Sequence, residues 1–343
     1  MAFTAICPAL NEQLANLAGE HFKQQTQSEL GFLKGLTDQY NNSSVEITPL
    51  NRQNGQIRTV QVMYQKRTPE SEVTETINNC VTGPFNESDN FSFNVDVNLE
   101  LSHEFEYNED KIRELCEGKN SWIAKDMMGK MDALYRKLNR RLITIATANF
   151  GNYATGVNSG TSPIALSLLE PFAAGGMTGA NFLGESIMLN ALSDARVVGK
   201  PMAFGVGDLR NYSNMRAIGN NNMLGVDLAT DQNFFFLADP MVGDILGNVD
   251  EFLVMEAGAM QFIPVPQYVG EYQNITESRT KSTIVDPRFG IEFDFFIYNV
   301  EACPDQWKAR LSLRYAAPVM YNDAYASTDY LFGVNGLFKF DAA

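Results

Sequence analysis

The chain has 343 residues, of which 45% are hydrophobic, and its 26 Lys or Arg against 41 Asp or Glu give a formal net charge of −15. That length and apolar content suffice for one large core or two ordinary ones, which excludes a disordered chain. The acidic balance argues against a surface built overall to grip nucleic-acid phosphates, although an acidic protein can still enclose nucleic acid behind a wall that repels it.

The first stretch, MAFTAICPALNEQLANLAGEHFK, has neither a basic start nor a long apolar core, so it does not read as a secretory signal. No apolar run approaches the length of a membrane span. Cys7, Cys80, Cys116 and Cys303 are single and widely spaced, which argues against CxxC-type metal or redox clusters and fits a reduced, cytosolic folding environment. Leu10, Leu14, Leu17, Leu30 and Leu33 recur at roughly helical intervals, which predicts helical pieces in an N-terminal arm over residues 1–45.

The next region, 46–108, alternates. FSFNVDVNLELSHEFEY sets Phe91, Phe93, Val95, Val97, Leu99, Leu101, Phe105 and Tyr107 against Ser92, Asn94, Asp96, Asn98, Glu100, Ser102, Glu104 and Glu106. As one strand this run would extend about 56 Å, far beyond the usual about 5 or 6 residues. With the alternating QIRTVQVMYQ at 56–65 it predicts the two arms of a long projecting hairpin, with Lys66 and Arg67 near its tip. The alternative is two shorter strands joined at a bulge in one sheet.

Between residues 109 and 160 the period changes. Ile123, Met127, Met131, Leu134, Leu138, Leu142 and Ile145 follow one face of a helix over 121–149, about 43 Å long, with Asn120 or Ser121 as cap and Gly151 beyond its end. Its second half gathers Arg136, Lys137, Arg140 and Arg141, which suit the negative end of the helix dipole. Residues 86–110 carry eight Asp or Glu and no Lys or Arg, so the two segments are candidates for pairing by charge within or between subunits. A nucleic-acid contact is the competing reading of the basic cluster.

From 161 to 270 the pattern is mixed. AAGGMTGANFLGES leads into a short helix, KPMAFGV reads as a strand, and Asp208 caps a helix reaching about Gly219. After the mobile-looking insert GNNNMLGVDLATDQN, Asp239 caps a further helix with Pro240 at its first position, and EFLVMEAGAMQFIPVPQYVG gives two strands around Gly258. Residues 271–343 return with strands at 276–285 and 291–298 joined by the turn Asp286-Pro287-Arg288-Phe289-Gly290. A last hairpin puts Glu292, Asp294 and Tyr298 on one face of its first arm and Lys308, Arg310, Ser312 and Arg314 on one face of its second, so the register is expected to set acids opposite bases. Cys303 and Asp305 are then expected in the connection beside Pro304.

Motifs for catalysis are missing: GxxxxGK[ST], HExxH, GxSxG and the dinucleotide fingerprint do not occur. His21 and His103 are the only histidines, and His103 falls on the apolar side of its strand, where a buried, satisfied ring is expected. SHEFEYNED offers His103, Glu104, Glu106, Glu109 and Asp110 as metal ligands, but in a strand His103 points away from Glu104 and Glu106. No catalytic, cofactor-binding or metal residue is therefore assigned.

The order of arm, projecting hairpin, long helix, α+β unit and returning antiparallel sheet resembles that of tailed-bacteriophage major capsid proteins. VMEAGAMQFIPVPQYVG (254–270) and TIVDPRFGIEFDFFIYNVEACPDQWKARLSLRY (283–315) resemble capsid segments most sharply. The resemblance implies an α+β, HK97-like capsid fold: N-terminal arm (1–45), extended loop with flanking strands (46–108), peripheral domain with its spine helix (109–160), axial domain (161–270) and returning strands (271–343). It implies no enzyme and no cofactor, but a subunit of hexamers and pentamers in an icosahedral phage head around double-stranded DNA, with portal, scaffolding and decoration proteins as partners and no membrane. Folding and assembly would take place in the bacterial host cytoplasm. Many members begin with a long scaffolding segment that is removed, so the early start of the arm implies a mature form or a separate scaffold. On this reading Lys66, Arg67, Glu104, Glu106, Arg136, Lys137, Arg140 and Arg141 are expected at contacts between subunits. An encapsulin-type compartment shell shares the fold and is the alternative; an acidic soluble hydrolase using undetected carboxylates is the second.

Overall fold

The computed structural model describes residues 30–42, 46–53, 56–65, 90–108, 119–149, 164–165, 192, 200–207, 235–267, 273–276, 279–300, 303–319 and 336–341. The first elements are a helix, α1 (Gly31–Asn42), and three strands, β1 (Glu46–Gln53), β2 (Gln56–Gln65) and β3 (Asn90–Asp96), which form an antiparallel sheet in that order. Gln53 faces Gln56 across residues 54–55, whose sequence is Asn-Gly, the pair that a two-residue hairpin connection favours.

The alternating run 91–107 proves to be two strands serving two sheets. In β3, Asn90 to Asp96 face Gln65 to Thr59 of β2. After Val97 and Asn98 the chain continues as β4 (Leu99–Asn108) and takes an entirely different partner. The break falls between the two pairings, at Val97 and Asn98, which belong to neither ladder. Because two residues separate the strands, parity is kept. Val95 and Val97 pack beside Val60, Val62, Ile263, Val265 and Ala316, while Leu99 and Leu101 pack on the main core.

The long helix, α2 (Lys119–Ala148), has 30 residues. It starts at Lys119, so Asn120 and Ser121 lie in its first turn instead of capping it. Ile123, Met127, Met131, Leu134, Leu138 and Leu142 are buried as the spacing predicts, Ile145 is half-buried, and Ala124, Met128, Tyr135, Ile143 and Ala146 broaden the stripe. Each such side chain, fully buried, contributes about 1.5 to 3 kcal/mol for the larger aliphatic and aromatic types. No base lies in the last turn. The dipole acts only within that turn, so it does not account for the cluster at 136–141.

The face of β4 bearing Leu101, Phe105 and Tyr107 turns toward α2: Lys130 Nζ lies 5.9 Å above the Phe105 ring, and Phe105 meets Tyr107 edge-on at 5.1 Å. The same face of the sheet is completed by β11 (Arg279–Asp286), β12 (Ile291–Val300) and β13 (Cys303–Ala316), through Ile284, Ile291, Phe293, Phe295, Ile297, Ala309, Leu311 and Leu313. With β10 (Gln273–Thr276) the order is β10-β11-β12-β13-β4, and β9 (Ile263–Pro264) joins the end of β13. The strand β13 begins at Cys303, so Cys303, Pro304 and Asp305 belong to the strand and only 301–302 connect the arms.

A third, five-stranded sheet has the order β5 (Ile164–Ala165), β14 (Leu337–Asp341), β8 (Glu251–Met255), β6 (Met202–Gly205) and β7 (Phe235–Ala238). The helix α3 (Pro240–Leu246) follows β7 directly, with Asp239 as its cap and Pro240 at its first position, as the sequence predicts. The early arm before residue 30, the helix capped by Asp208, the helix after AAGGMTGANFLGES, the insert GNNNMLGVDLATDQN and Gly151 lie outside the described residues.

Candidate functional site

Among the described residues singled out for contact, Glu104 and Glu106 lie on the central sheet and Arg136, Lys137, Arg140 and Arg141 on α2. On the sheet face turned away from α2, β13 is paired with β4 so that Lys308, Arg310, Ser312 and Arg314 stand opposite Glu106, Glu104, Ser102 and Glu100. The bases of β13 therefore do meet acids, but not those of β12: there Lys308 faces Tyr298, Arg310 faces Phe296 and Ser312 faces Asp294. The acids come from the neighbour on the other side of β13 from the one expected. Lys308 Nζ lies 3.2 Å from Glu106, Arg310 Nη2 2.7 Å from Glu100 and 4.0 Å (Nε) from Glu104, and Arg314 Nε 3.0 Å from Glu100. Asp294 is buried instead, where its carboxylate accepts the Gln267 N–H at 2.9 and 3.1 Å.

Glu104 and Glu106 remain 77% and 64% exposed, so their pairs are held in high dielectric and contribute about 0 to 1 kcal/mol each. Glu100 is the better placed, shared by two arginines and 30% exposed. Glu100→Gln is expected to lower stability by about 1 kcal/mol at low salt and by less at high salt, as read from urea midpoints at both. An equal loss at both ionic strengths would mean that the pairing is not electrostatic in origin.

Arg136, Lys137, Arg140 and Arg141 are all exposed on α2, and Arg141 stands near enough to the sheet for its charge to act on Tyr315 of β13. Among the described residues Lys137, Arg140 and Arg141 form no ion pair. The sheet therefore separates these bases from the Glu104 and Glu106 side chains, which stand on its other face. Direct pairing of the two groups in neighbouring copies would require the helix face of one layer to meet the sheet face of another. Lys66 and Arg67 lie outside the described residues.

His103 is half-buried. Its ring meets Phe105 edge-on at 6.0 Å and its Nδ1 lies 3.1 Å from the Glu104 carbonyl oxygen, on the face opposite the Glu104 and Glu106 side chains. Among the described residues no group of three or more His, Cys, Asp or Glu is placed to hold a metal ion.

Two buried polar clusters were not read from the sequence. Arg288, in the turn after β11, is buried beside Asp286, which it holds through Nε (3.1 Å to both oxygens) and Nη2 (2.8 Å), while its Nη1 reaches Asp132 of α2 at 2.5 Å. Burial works against the Arg288 charge, but the hydrogen bonds and charge of Asp286 outweigh it and hold the guanidinium pKa above its ordinary value. The turn closes with Gly290 at φ 70°, a left-handed position, and its N–H donates to the Asp286 carbonyl. In the second cluster, Asp239 accepts from Met241 N at 3.0 Å, Phe32 N at 2.9 Å and Asn139 Nδ2 at 2.8 Å. Asn139 in turn accepts from Leu33 N at 2.9 Å. One carboxylate thus caps α3 and, with Asn139 of α2, the free N–H groups at the start of α1. Burial pushes its pKa up, against the pull of the three donors.

No protein-family model and no curated protein matches the chain. Among solved structures it is similar to a chain of the capsid asymmetric unit of cyanophage A-1(L), at 15% identity over 92% of this chain and 94% of that one, with a TM-score of 0.47. It is similar also to a chain of the capsid of Ralstonia phage GP4 (9% identity, 83% and 84% covered, TM-score 0.44) and to one of Mycobacterium phage Adephagia (13%, 83% and 85%, 0.43).

Proposed function

We propose that this chain is a major capsid protein, a shell subunit whose copies assemble into hexamers and pentamers of a phage head around double-stranded DNA. The observation that carries the reading is the β2–β3 hairpin. Its arms pair from Thr59 and Asp96 out to Gln65 and Asn90, and its inner arm runs on into the edge strand of the central sheet. Val60 and Val62 at its base pack on Ile263, Val265 and Ala316 of the same chain. On this reading the hairpin projects beyond that base and finds its further burial on another copy, which makes each subunit incomplete alone. The 30-residue helix laid along the sheet supplies a stiff body from which the arm extends. The contacts proposed for the arm and the sheet face are Lys66, Arg67, Glu104 and Glu106; the helix bases face the other way.

The test is the mass and form of the purified protein, by native mass measurement and electron microscopy. A megadalton shell enclosing DNA is expected. A shell that packages protein instead would favour an encapsulin-type compartment, and absence of any shell would sink the reading. Replacing residues 66–89 by a two-residue turn is expected to leave a folded, soluble subunit that no longer closes shells, because it removes the surfaces that join copies and spares the core. Normal particles from that deletion would show that the arm is not the assembling element.

A further inference from the structure

We propose that the exposed second half of α2 is a phosphate-facing surface, on which Arg136, Lys137, Arg140 and Arg141 contact the backbone of double-stranded DNA without reading its sequence. The proposal rests on the shell reading for its biological setting but is carried by three observations on the helix. From Ala133 to Ala148 the chain contains no acid, in a protein whose net charge is −15. All four bases in that stretch are exposed, as are Ala133, Thr144 and Ala148 beside them, so the strip is open and positive. Elsewhere Arg288, Lys308, Arg310, Arg314 and Lys339 each hold a carboxylate, whereas Lys137, Arg140 and Arg141 form no ion pair among the described residues.

Spacing fits the same partner. Arg136 and Arg140, and beside them Lys137 and Arg141, form two rows whose members are one turn apart, about 6 Å along the axis. That is close to the rise of two phosphates along one strand of DNA, at about 3.4 Å each. Flexible side chains tolerate the small difference, and no base-reading geometry is required. An acidic surface on a second copy is the competing occupant. The acids of the β4 ladder do not supply it, since Glu100, Glu104 and Glu106 lie on the far side of the sheet and face their own chain's bases. A shell one subunit thick has an inner and an outer side, so the proposal makes the helix side the inner one.

The test uses the full-length unassembled subunit and a short DNA duplex, with affinity followed by fluorescence anisotropy over a series of salt concentrations. For the parent protein log K should fall linearly with log salt. In the variant Arg136→Gln/Lys137→Gln/Arg140→Gln/Arg141→Gln the slope should drop by about 0.9 for each phosphate that is no longer neutralised. The charge-keeping variant Arg136→Lys/Arg140→Lys/Arg141→Lys should keep the parent slope. Both should melt like the parent and still form shells. If the Gln variant does not fold, Arg140→Gln/Arg141→Gln is measured in its place, with half the drop in slope expected. An unchanged slope, or a parent that fails to bind the duplex at low salt, overturns the proposal. So does a folded Gln variant that no longer assembles, which would assign the strip to the junction between copies. A parent that forms no shells but shows the slope change would defeat the shell reading and leave this surface standing.

Discussion

Arg288→Met is expected to lower the stability of the subunit by about 3 to 5 kcal/mol. The substitution keeps most of the side-chain volume and removes the charge, and it leaves the buried Asp286 without its cation. Asp286 then has two remaining courses, both unfavourable: to stay ionised in the core, or to take up a proton in a site arranged around its charge. The link to Asp132 goes too, and with it the tie between the β11–β12 turn and α2. Chemical denaturation of parent and variant measures the loss as a shift of midpoint at constant slope. The double variant Arg288→Met/Asp286→Asn should recover a large part of it. The Asn oxygen still accepts the backbone N–H of residue 288, which in the parent donates to Asp286 Oδ1 at 2.8 Å, while the stranded charge is gone. A loss under 1 kcal/mol for the single variant, or no recovery in the double, would mean that the turn is held by packing of Phe289 on Tyr135 (4.8 Å between rings) and not by the ion cluster.

Asp239→Ala is expected to release α1 from the body of the subunit. Three N–H donors lose their acceptor together, at about 1 to 3 kcal/mol each when they stay buried and unsatisfied. Since Phe32 and Leu33 are at the helix start, α1 can escape this cost by undocking. Its close seat gives little room for adjustment: a Cβ on Gly31 would overlap the Ala238 carbonyl oxygen, and one on Gly35 would lie 2.8 Å from the Phe204 ring. Amide hydrogen exchange should therefore show lost protection at Phe32 and Leu33 while the α2 amides remain slow. Asp239→Asn should do the same more weakly, because its amide nitrogen sets a donor against a donor. Retained protection of Phe32 and Leu33 in the Ala variant would place the hold on α1 in its apolar face, through Phe32, Leu33 and Leu36, instead of in the polar junction.

Asp239 also shows what kind of information a sequence carries on its face. Its cap role on α3 was legible because cap, proline and helix are contiguous. Its second role on α1 spans 207 residues and left no local trace. Asn139 offered a hint, as a polar residue inside the apolar stripe beside Leu138 and Leu142, but nothing near it named a partner. The alternation from Phe91 to Tyr107 was plain, because side-chain parity is a property of the strand alone; the change of partner at Val97 and Asn98 is a property of two sheets. The same holds for β13. Its basic face was read correctly, and its acids were sought on the neighbouring strand in sequence, whereas Glu100, Glu104 and Glu106 reach it from about two hundred residues away. Charges on α2 were legible as a cluster, and only the packing of the helix on the sheet told which way they face.

The join between β3 and β4 also determines how the arm bears a load. Ladder bonds run across the strands, so a pull directed along β4 does not open the ladder from one end like a zipper. It is taken in shear by all ten facing pairs between Leu99–Tyr315 and Asn108–Gln306. A force across the arm, by contrast, falls first on Val97 and Asn98, the two residues that belong to neither ladder. The arm is thus stiff in tension and more compliant in bending, anchored through the edge strand of the six-stranded sheet and steadied at its root by the packing of Val60, Val62, Val95 and Val97.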